Sequence, residues 1–236
     1  PLSNNATICS YPRFLYDNPY PLEVSYEALD SMAAAENAGM EVEVPTAVGF
    51  CMYIRRDCLA DVGLFDEAAF GKGYGEENDF CQRAIQKDWR NIVAADVFVR
   101  HWGSTSFQGE RSGRVQAALK VLSKRYPDYQ QAVRNFIEQD PLYAARRKLD
   151  WARLKAQVKA ENVLVVCHSR GGGAERHVQE DTRSLLASGA GVFYLRPPAG
   201  QPAQANISHP VCRNLPNLAP TNLADTAQLG AVLQQL

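Results

Sequence analysis

Residues 161–197 read ENVLVVCHSRGGGAERHVQEDTRSLLASGAGVFYLRP, and the order of patterns within them decides the fold class. Asn162 to Cys167 is a continuous apolar, β-branched strand signal, and His168 to Gly173 is a tight glycine-rich turn. Ala174 to Ser188 carries a helical pattern, and Gly191 to Leu195 is a second strand. A strand, a crossover helix and a second strand predict a βαβ unit with parallel strands, and so an α/β class. The remaining chain, rich in Pro, Asn, Gln and Ala, supports only a weak helix over Leu223 to Leu236. This segment therefore predicts only a partial Rossmann-like unit.

Working back from Glu161, three helices are expected up to about Lys159, broken at Pro127 and Pro141. Before them the chain alternates between elements. Ser25 caps a helix that Gly39 ends, Glu41 to Val44 is a short strand, and Thr46 to Ile54, rich in β-branched and aromatic residues, reads as a buried strand. Arg55 to Val62 is a short helix, and Asn78 to Lys87 is another with Phe80, Cys81, Ala84 and Ile85 on one face. Arg90 to Ala95 and Val97 to Trp102 follow as strands, then a polar loop over 103–113. Pro1 to Pro21 reads as an ordered but irregular lead-in without periodicity. The expected organisation is thus a mixed sheet with helices over 1–110, a helical extension over 111–160 and the partial βαβ domain over 161–236.

Composition narrows the partners. Of 236 residues, 46% are hydrophobic and 22% charged, which is ordinary for a soluble globular chain and argues against disorder. With 25 Lys plus Arg against 26 Asp plus Glu, the net charge of -1 supplies no general attraction to nucleic acid. The longest apolar runs fall far short of the roughly 20 residues that cross a bilayer. Cys9, Cys51, Cys58, Cys81, Cys167 and Cys212 show neither a CxxC pair nor zinc-like spacing, so buried reduced thiols are expected. The chain opens on Pro1 without a signal-peptide pattern, which fits a start inside a longer, cytoplasmic protein.

The chemistry concentrates at a loop-to-helix junction, where Glu76, Glu77 and Asp79 stand at the positive end of the helix dipole. Carboxylates are stabilised there whether or not they react, so the cluster alone is a weak signal. Its context is more specific. The order GFCMYIRRDCLADVGLFDEAAFGKGYGEENDFCQRA (49–84), followed by VFVRHWGSTSF (97–107), resembles the C-terminal half of family 2 glycosyltransferases of the GT-A fold. The resemblance rests on the strand at Gly49, the turn from Gly63 to Glu67, the motif from Tyr74 to Asp79, Arg83, and His101 after a strand.

That resemblance implies transfer of a sugar from a nucleotide-sugar donor to a glycan or lipid-linked glycan acceptor in bacterial surface-polysaccharide assembly. The family's acidic motif commonly reads Glu-Asp-x-Asp, and its second carboxylate is the general base of inverting members. Glu77 occupies that place, so the family's Asp is a Glu here; the base role is open between Glu77 and Asp79, with Glu76 beside them. Tyr74, Trp102 and Gly49 are the implied substrate-binding positions, and His101 the implied ligand of a divalent cation, Mn²⁺ or Mg²⁺. The family's Asp-x-Asp ligands are not found in this chain, so the fragment is expected to be inactive alone. Arg83 is expected in an ion pair rather than in catalysis.

Residues 161–197 in turn resemble the start of a family 4-like glycosyltransferase of the GT-B fold, with Gly171, Gly172 and Gly173 opening a helix where backbone N–H groups could approach a phosphate. His168, Glu175 and His177 receive no catalytic role. The rival readings are a non-catalytic glycan-binding or scaffolding module and a metal-dependent phosphoryl-transfer enzyme, for which the chain offers too few ligands. The expected location is the cytoplasm, with peripheral association at the inner membrane face compatible with it.

Overall fold

The computed structural model describes residues 1–5, 7–18, 21–71, 74–102, 111–168, 171–198, 200–212 and 214–236. It is an α/β protein that divides into two compact units, Pro1–Pro19 with Ala33–Ala145, and Tyr20–Met32 with Arg146–Leu236. The two helices α1 (Tyr26–Glu36) and α7 (Tyr143–Lys155) each contribute residues to both. Residues 111–145 fall in the first unit and residues 146–160 in the second. Among the described residues no helix is long and apolar enough to cross a membrane.

In the first unit, β1 (Glu41–Glu43) pairs antiparallel with β2 (Ile92–Ala94), Val42 opposite Val93. Between them lie α2 (Arg56–Val62), α3 (Glu67–Phe70) and α4 (Glu76–Ile85). Cys58 and Val62 of α2 pack on Phe80 and Ala84 of α4, and Met52, Ile54, Leu59 and Trp89 close the cluster. Burying Phe80 contributes about 1.5–3 kcal/mol. Ile85, expected on that face, is exposed instead, at the last residue of the helix. The expected strand over Thr46 to Ile54 is absent: the segment runs as turns and irregular backbone. Its apolar side chains earned the strand reading, yet Met52 and Ile54 spend them covering α2 and α4, while Tyr53 points out at 90% exposure.

Val97 to Trp102 likewise forms no strand; it keeps one parallel bridge, Leu2 to Phe98, with Leu2 donating to the Val97 carbonyl at 2.9 Å and Val99 to the Leu2 carbonyl at 2.9 Å. The lead-in is ordered and irregular, as its sequence suggests, with Leu2, Ile8, Cys9 and Tyr11 buried and Tyr11 edge-on to Phe98. The helices α5 (Arg111–Arg125) and α6 (Tyr129–Gln139) follow, broken at Pro127 as the sequence predicts, and α7 begins after Pro141. The polar loop expected over 103–113 lies mostly outside the described residues, and its last three residues belong to α5.

In the second unit, β3 (Asn162–Val166), α8 (Gly173–Ala187) and β4 (Gly191–Arg196) form the expected βαβ unit, with β3 and β4 parallel and Asn162 opposite Gly191. The chain then turns back. β5 (Gln204–Ser208) is antiparallel to β4, β6 (Thr221–Asn222) antiparallel to β5, and the four-stranded mixed sheet runs β3-β4-β5-β6 before α9 (Thr226–Leu233). β4 is central and its Val192, Phe193 and Leu195 are buried, whereas β3 lies at the sheet edge with Val166 exposed. Trp151 and Leu154 of α7 pack on Phe193 and Ile207. Arg153, fully buried, is held by Glu23 at 2.7 Å and by Asp150 at 3.4 Å. Asp150 in turn accepts from the Asn217 backbone N–H at 2.8 Å. A buried charge without such partners would be strongly destabilising.

Candidate functional site

α4 places the acidic motif. Its cap is Gly75, at φ 94°, and Glu76, Glu77 and Asp79 fill the first turn, where the helix dipole favours negative charge. Gly75 is confined, because a Cβ on it would lie 2.8 Å from the Ala118 Cβ of α5 and 2.8 Å from the Phe70 ring of α3. Its N–H donates to Glu77 Oε2 at 3.2 Å, which folds the Glu77 side chain back over the helix start.

The same helix fixes the segment that faces Glu77. Asn78 donates to Thr46 Oγ1 at 2.7 Å, Gln82 to the Pro45 carbonyl at 2.8 Å, and the Ala47 N–H donates to Cys81 Sγ at 3.2 Å. Residues 78, 81 and 82 share one helical face, so these bonds moor 45–47 along a single ridge. Two residues further on, Gly49 is exposed and lies against Glu77: a Cβ there would be 3.7 Å from Glu77 Cγ. Phe50, the next residue, stacks on the His101 ring with centroids 4.7 Å apart and planes at 22°. The Gly49–Phe50 turn therefore touches Glu77 on one side and His101 on the other.

His101 is held from the lead-in. Its backbone N–H donates to Asn4 Oδ1 at 2.8 Å, its carbonyl accepts from Asn4 Nδ2 at 3.0 Å, and its ring Nδ1 bonds the Asn5 carbonyl. A carbonyl can only accept, so Nδ1 is the donor in this bond, and in the neutral form of the ring the lone pair is on Nε2. That is the tautomer a metal-ligating histidine uses, with its other nitrogen braced by a backbone oxygen. Among the described residues no group of three or more His, Cys, Asp or Glu could hold a metal ion, so His101 is a single donor rather than part of a complete cage.

The two candidate bases differ in surroundings. Burial pushes the Glu77 carboxyl above its ordinary value, and the charge of Glu76 adds to the shift against the hydrogen bond from Gly75. Asp79 is also buried, which alone would raise it, but Arg125, Arg83 and Tyr126 together hold it below its ordinary value. Asp79 Oδ1 accepts from Arg125 and from Tyr126 at 2.8 Å each, and Oδ2 from Arg83 at 2.8 Å. Arg125 reaches Asp66 at 2.8 Å, and Arg83 donates to the Val62 and Leu64 carbonyls at 2.7 and 2.9 Å. Asp79 is thus the centre of a cross-link joining α4, α5 and the end of α2. Burial and the Asp79 bond push the Tyr126 phenol up to about 12.

Of the other expected residues, Glu76 and Tyr74 are half-buried at the same turn. Trp102 follows His101 and is 72% exposed, with the Arg100 guanidinium 3.3 Å from its ring centroid, so one face of the ring is covered. Nothing in the sequence pointed to the parts that Phe50, Asn4, Asn5, Arg125 and Tyr126 play here. Gly75, a glycine directly before two acids, stands in the motif from Tyr74 to Asp79. Cys51, expected buried, is exposed and Cys167 is half-buried; all six cysteines are free thiols. In the second unit Glu175 pairs with Arg196 at 3.2 Å.

A half-buried carboxylate whose pKa is raised, lying against an exposed glycine, can accept a proton from a neighbouring hydroxyl, and a neutral imidazole can ligate a cation through Nε2. No protein-family model, curated protein or solved structure matches this chain.

Proposed function

We propose that the first unit carries the acceptor-side half of a GT-A-like glycosyltransferase site. It would transfer a sugar from a nucleotide-sugar donor to a glycan acceptor in bacterial surface-polysaccharide assembly. The observation that supports this most is the Gly49–Phe50 turn, which lies against Glu77 and stacks on His101. In this reading Glu77 is the general base, since both oxygens of Asp79 are engaged by Arg83, Arg125 and Tyr126.

A sugar hydroxyl is a weak nucleophile at neutral pH. A base that takes its proton as the bond to the anomeric carbon forms contributes about 10²–10⁴ in rate, most when its pKa lies near the working pH. Burial moves Glu77 in that direction. The missing side chain at Gly49 leaves room for the acceptor beside the carboxylate, with Tyr74 and the open face of Trp102 as apolar surfaces for a sugar ring. His101 would supply one ligand to Mn²⁺ or Mg²⁺ through Nε2. The cation, when bound, neutralises charge on the departing nucleoside diphosphate. Since the chain holds no Asp-x-Asp, turnover is expected of a polypeptide that supplies the donor-binding half and not of these residues alone. The parallel β3–α8–β4 unit is read as the opening of a second, GT-B-like transferase domain.

The test is nucleoside diphosphate release from nucleotide sugars by a polypeptide carrying both halves. Glu77→Gln should lower kcat by about 10²–10⁴ while the fold is retained, and His101→Ala should weaken the dependence on Mn²⁺. Wild-type turnover in Glu77→Gln would overturn the base assignment. Glycan binding without turnover in the unaltered protein would favour a non-catalytic module.

A further inference from the structure

The lead-in meets the segment before His101 as a short parallel ladder, in which the Leu2 N–H donates to the Val97 carbonyl and the Val99 N–H to the Leu2 carbonyl, each at 2.9 Å. Ser3 faces the other way: its N–H donates to the Cys9 carbonyl at 3.0 Å, and its carbonyl accepts from Tyr11 at 2.8 Å. A parallel ladder bonds every second residue to the same neighbour, so its next rung would carry the His101 N–H to the Asn4 carbonyl.

That rung is replaced. The Asn4 carbonyl accepts from the Asn18 N–H at 3.0 Å instead. The Asn4 side chain takes over, with Oδ1 accepting from the His101 N–H at 2.8 Å and Nδ2 donating to the His101 carbonyl at 3.0 Å. Asn18, itself 4% exposed, is fixed by three side-chain bonds to the backbone of Arg13 and Tyr16. Because the side chain holds His101, the backbone is released to bend at Asn4 and Asn5, and the Asn5 carbonyl meets His101 Nδ1. Gripping both the N–H and the carbonyl of one residue takes an acceptor and a donor on a single side chain; aspartate lacks the donor and alanine lacks both.

We propose that Asn4 is a positioning residue for His101. By standing in for the next rung it sets the Asn5 carbonyl against Nδ1, so the neutral ring carries its hydrogen on Nδ1 and its lone pair on Nε2. The use of Nε2, to ligate a divalent cation, rests on the sugar-transfer reading; the choice of nitrogen does not. A ligating histidine depends on the brace at its other nitrogen, and losing such a partner weakens metal binding by about 10–100-fold.

The experiment records long-range ¹H–¹⁵N correlations of the imidazoles of the ¹⁵N-labelled chain in their neutral form, with His101 assigned by its loss in His101→Ala. The unaltered protein should carry the His101 hydrogen on Nδ1. Asn4→Ala should move it toward Nε2 while the Tyr11–Phe98 ring contact shows the lead-in still folded. Asn4→Asp, which keeps the acceptor and loses the donor, takes its place should that contact be lost. Mn²⁺ binding, followed by broadening of the Phe50 amide, should weaken by about 10–100-fold in the same variant. The proposal is overturned by a hydrogen on Nε2 in the unaltered protein, by an unmoved hydrogen in a folded Asn4 variant, or by Mn²⁺ binding that survives the move. Failure of Mn²⁺ to bind the unaltered protein, with its hydrogen on Nδ1 and moved in the variant, would sink the cation reading and uphold the role of Asn4.

Discussion

Replacing Gly75 by alanine should damage the first unit more than the same change at Gly39, and the difference measures how tightly the acidic motif is clamped. Both glycines have positive φ, 94° and 66°, so each substitution carries the left-handed backbone cost of about 1–2 kcal/mol. At Gly39 nothing lies within 4 Å of the added Cβ, and the cost ends there. At Gly75 the new methyl meets Ala118 Cβ and the Phe70 ring at 2.8 Å each. Ala118 is anchored directly to the α5 backbone and cannot swing away, so overpacking adds about 1–3 kcal/mol. Gly75→Ala should therefore lose roughly 2–5 kcal/mol in total, against about 1–2 for Gly39→Ala. Urea unfolding followed by circular dichroism gives both values, provided the slopes agree. Equal losses for the two variants would refute the clamp, and with it the reason Glu77 is held where it is.

Asp79→Asn should cost about 2–4 kcal/mol, because a buried carboxylate with three donors is removed while Arg83 and Arg125 keep some access to water; a loss below 1 kcal/mol in thermal unfolding would contradict the cross-link. Because the folded Asp79 lies below its unfolded value near ~3.9, its contribution is complete above that pH and disappears as pH falls through the folded value. The variant's acid unfolding limb should be correspondingly flatter. Glu77 has the opposite sign: its folded value is raised, so its ionisation costs stability as pH rises through the carboxylate range. Glu77→Gln should then be more stable than the parent at pH ~7 and indistinguishable from it in acid, and a less stable variant at neutral pH would count against that environment. Thiol labelling of the native protein should reach exposed Cys51 first, whereas buried Cys9 and Cys81, both raised to about 11 chiefly by burial, should react only on unfolding. Labelling of Cys81 at the rate of Cys51 would contradict its burial.

Local patterns were legible where a single element satisfies its own signal. The run from Asn162 to Val166, the helix behind it and Gly191 to Leu195 form the βαβ unit as read, and Ser25 caps α1 through a 3.2 Å bond from the Ala28 N–H. Thr46 to Ile54 misled because β-branched and aromatic content reports a half-buried surface, which a loop covering α2 and α4 satisfies as well as a strand does. β5 was hidden because Gln204 to Ser208 alternates buried and open positions with Ala, Asn and Ile, too weak a pattern amid Pro and Gln. At the candidate site the acids and His101 could be named in advance, but their neighbours could not. Asn4 reaches His101 across 97 positions, and Arg125 reaches Asp79 across 46, separations for which one chain offers no periodic signal.

In the proposed function, Glu77 and His101 border one open site at the Gly49–Phe50 turn. The most direct measurement is paramagnetic broadening by Mn²⁺ titrated into the ¹⁵N,¹³C-labelled chain. The account predicts that the Gly49 and Phe50 amides and the Glu77 side chain broaden together at the lowest Mn²⁺, and that His101→Ala abolishes this. Broadening confined to exposed carboxylates such as Asp57 and Asp61, unchanged in His101→Ala, would contradict it.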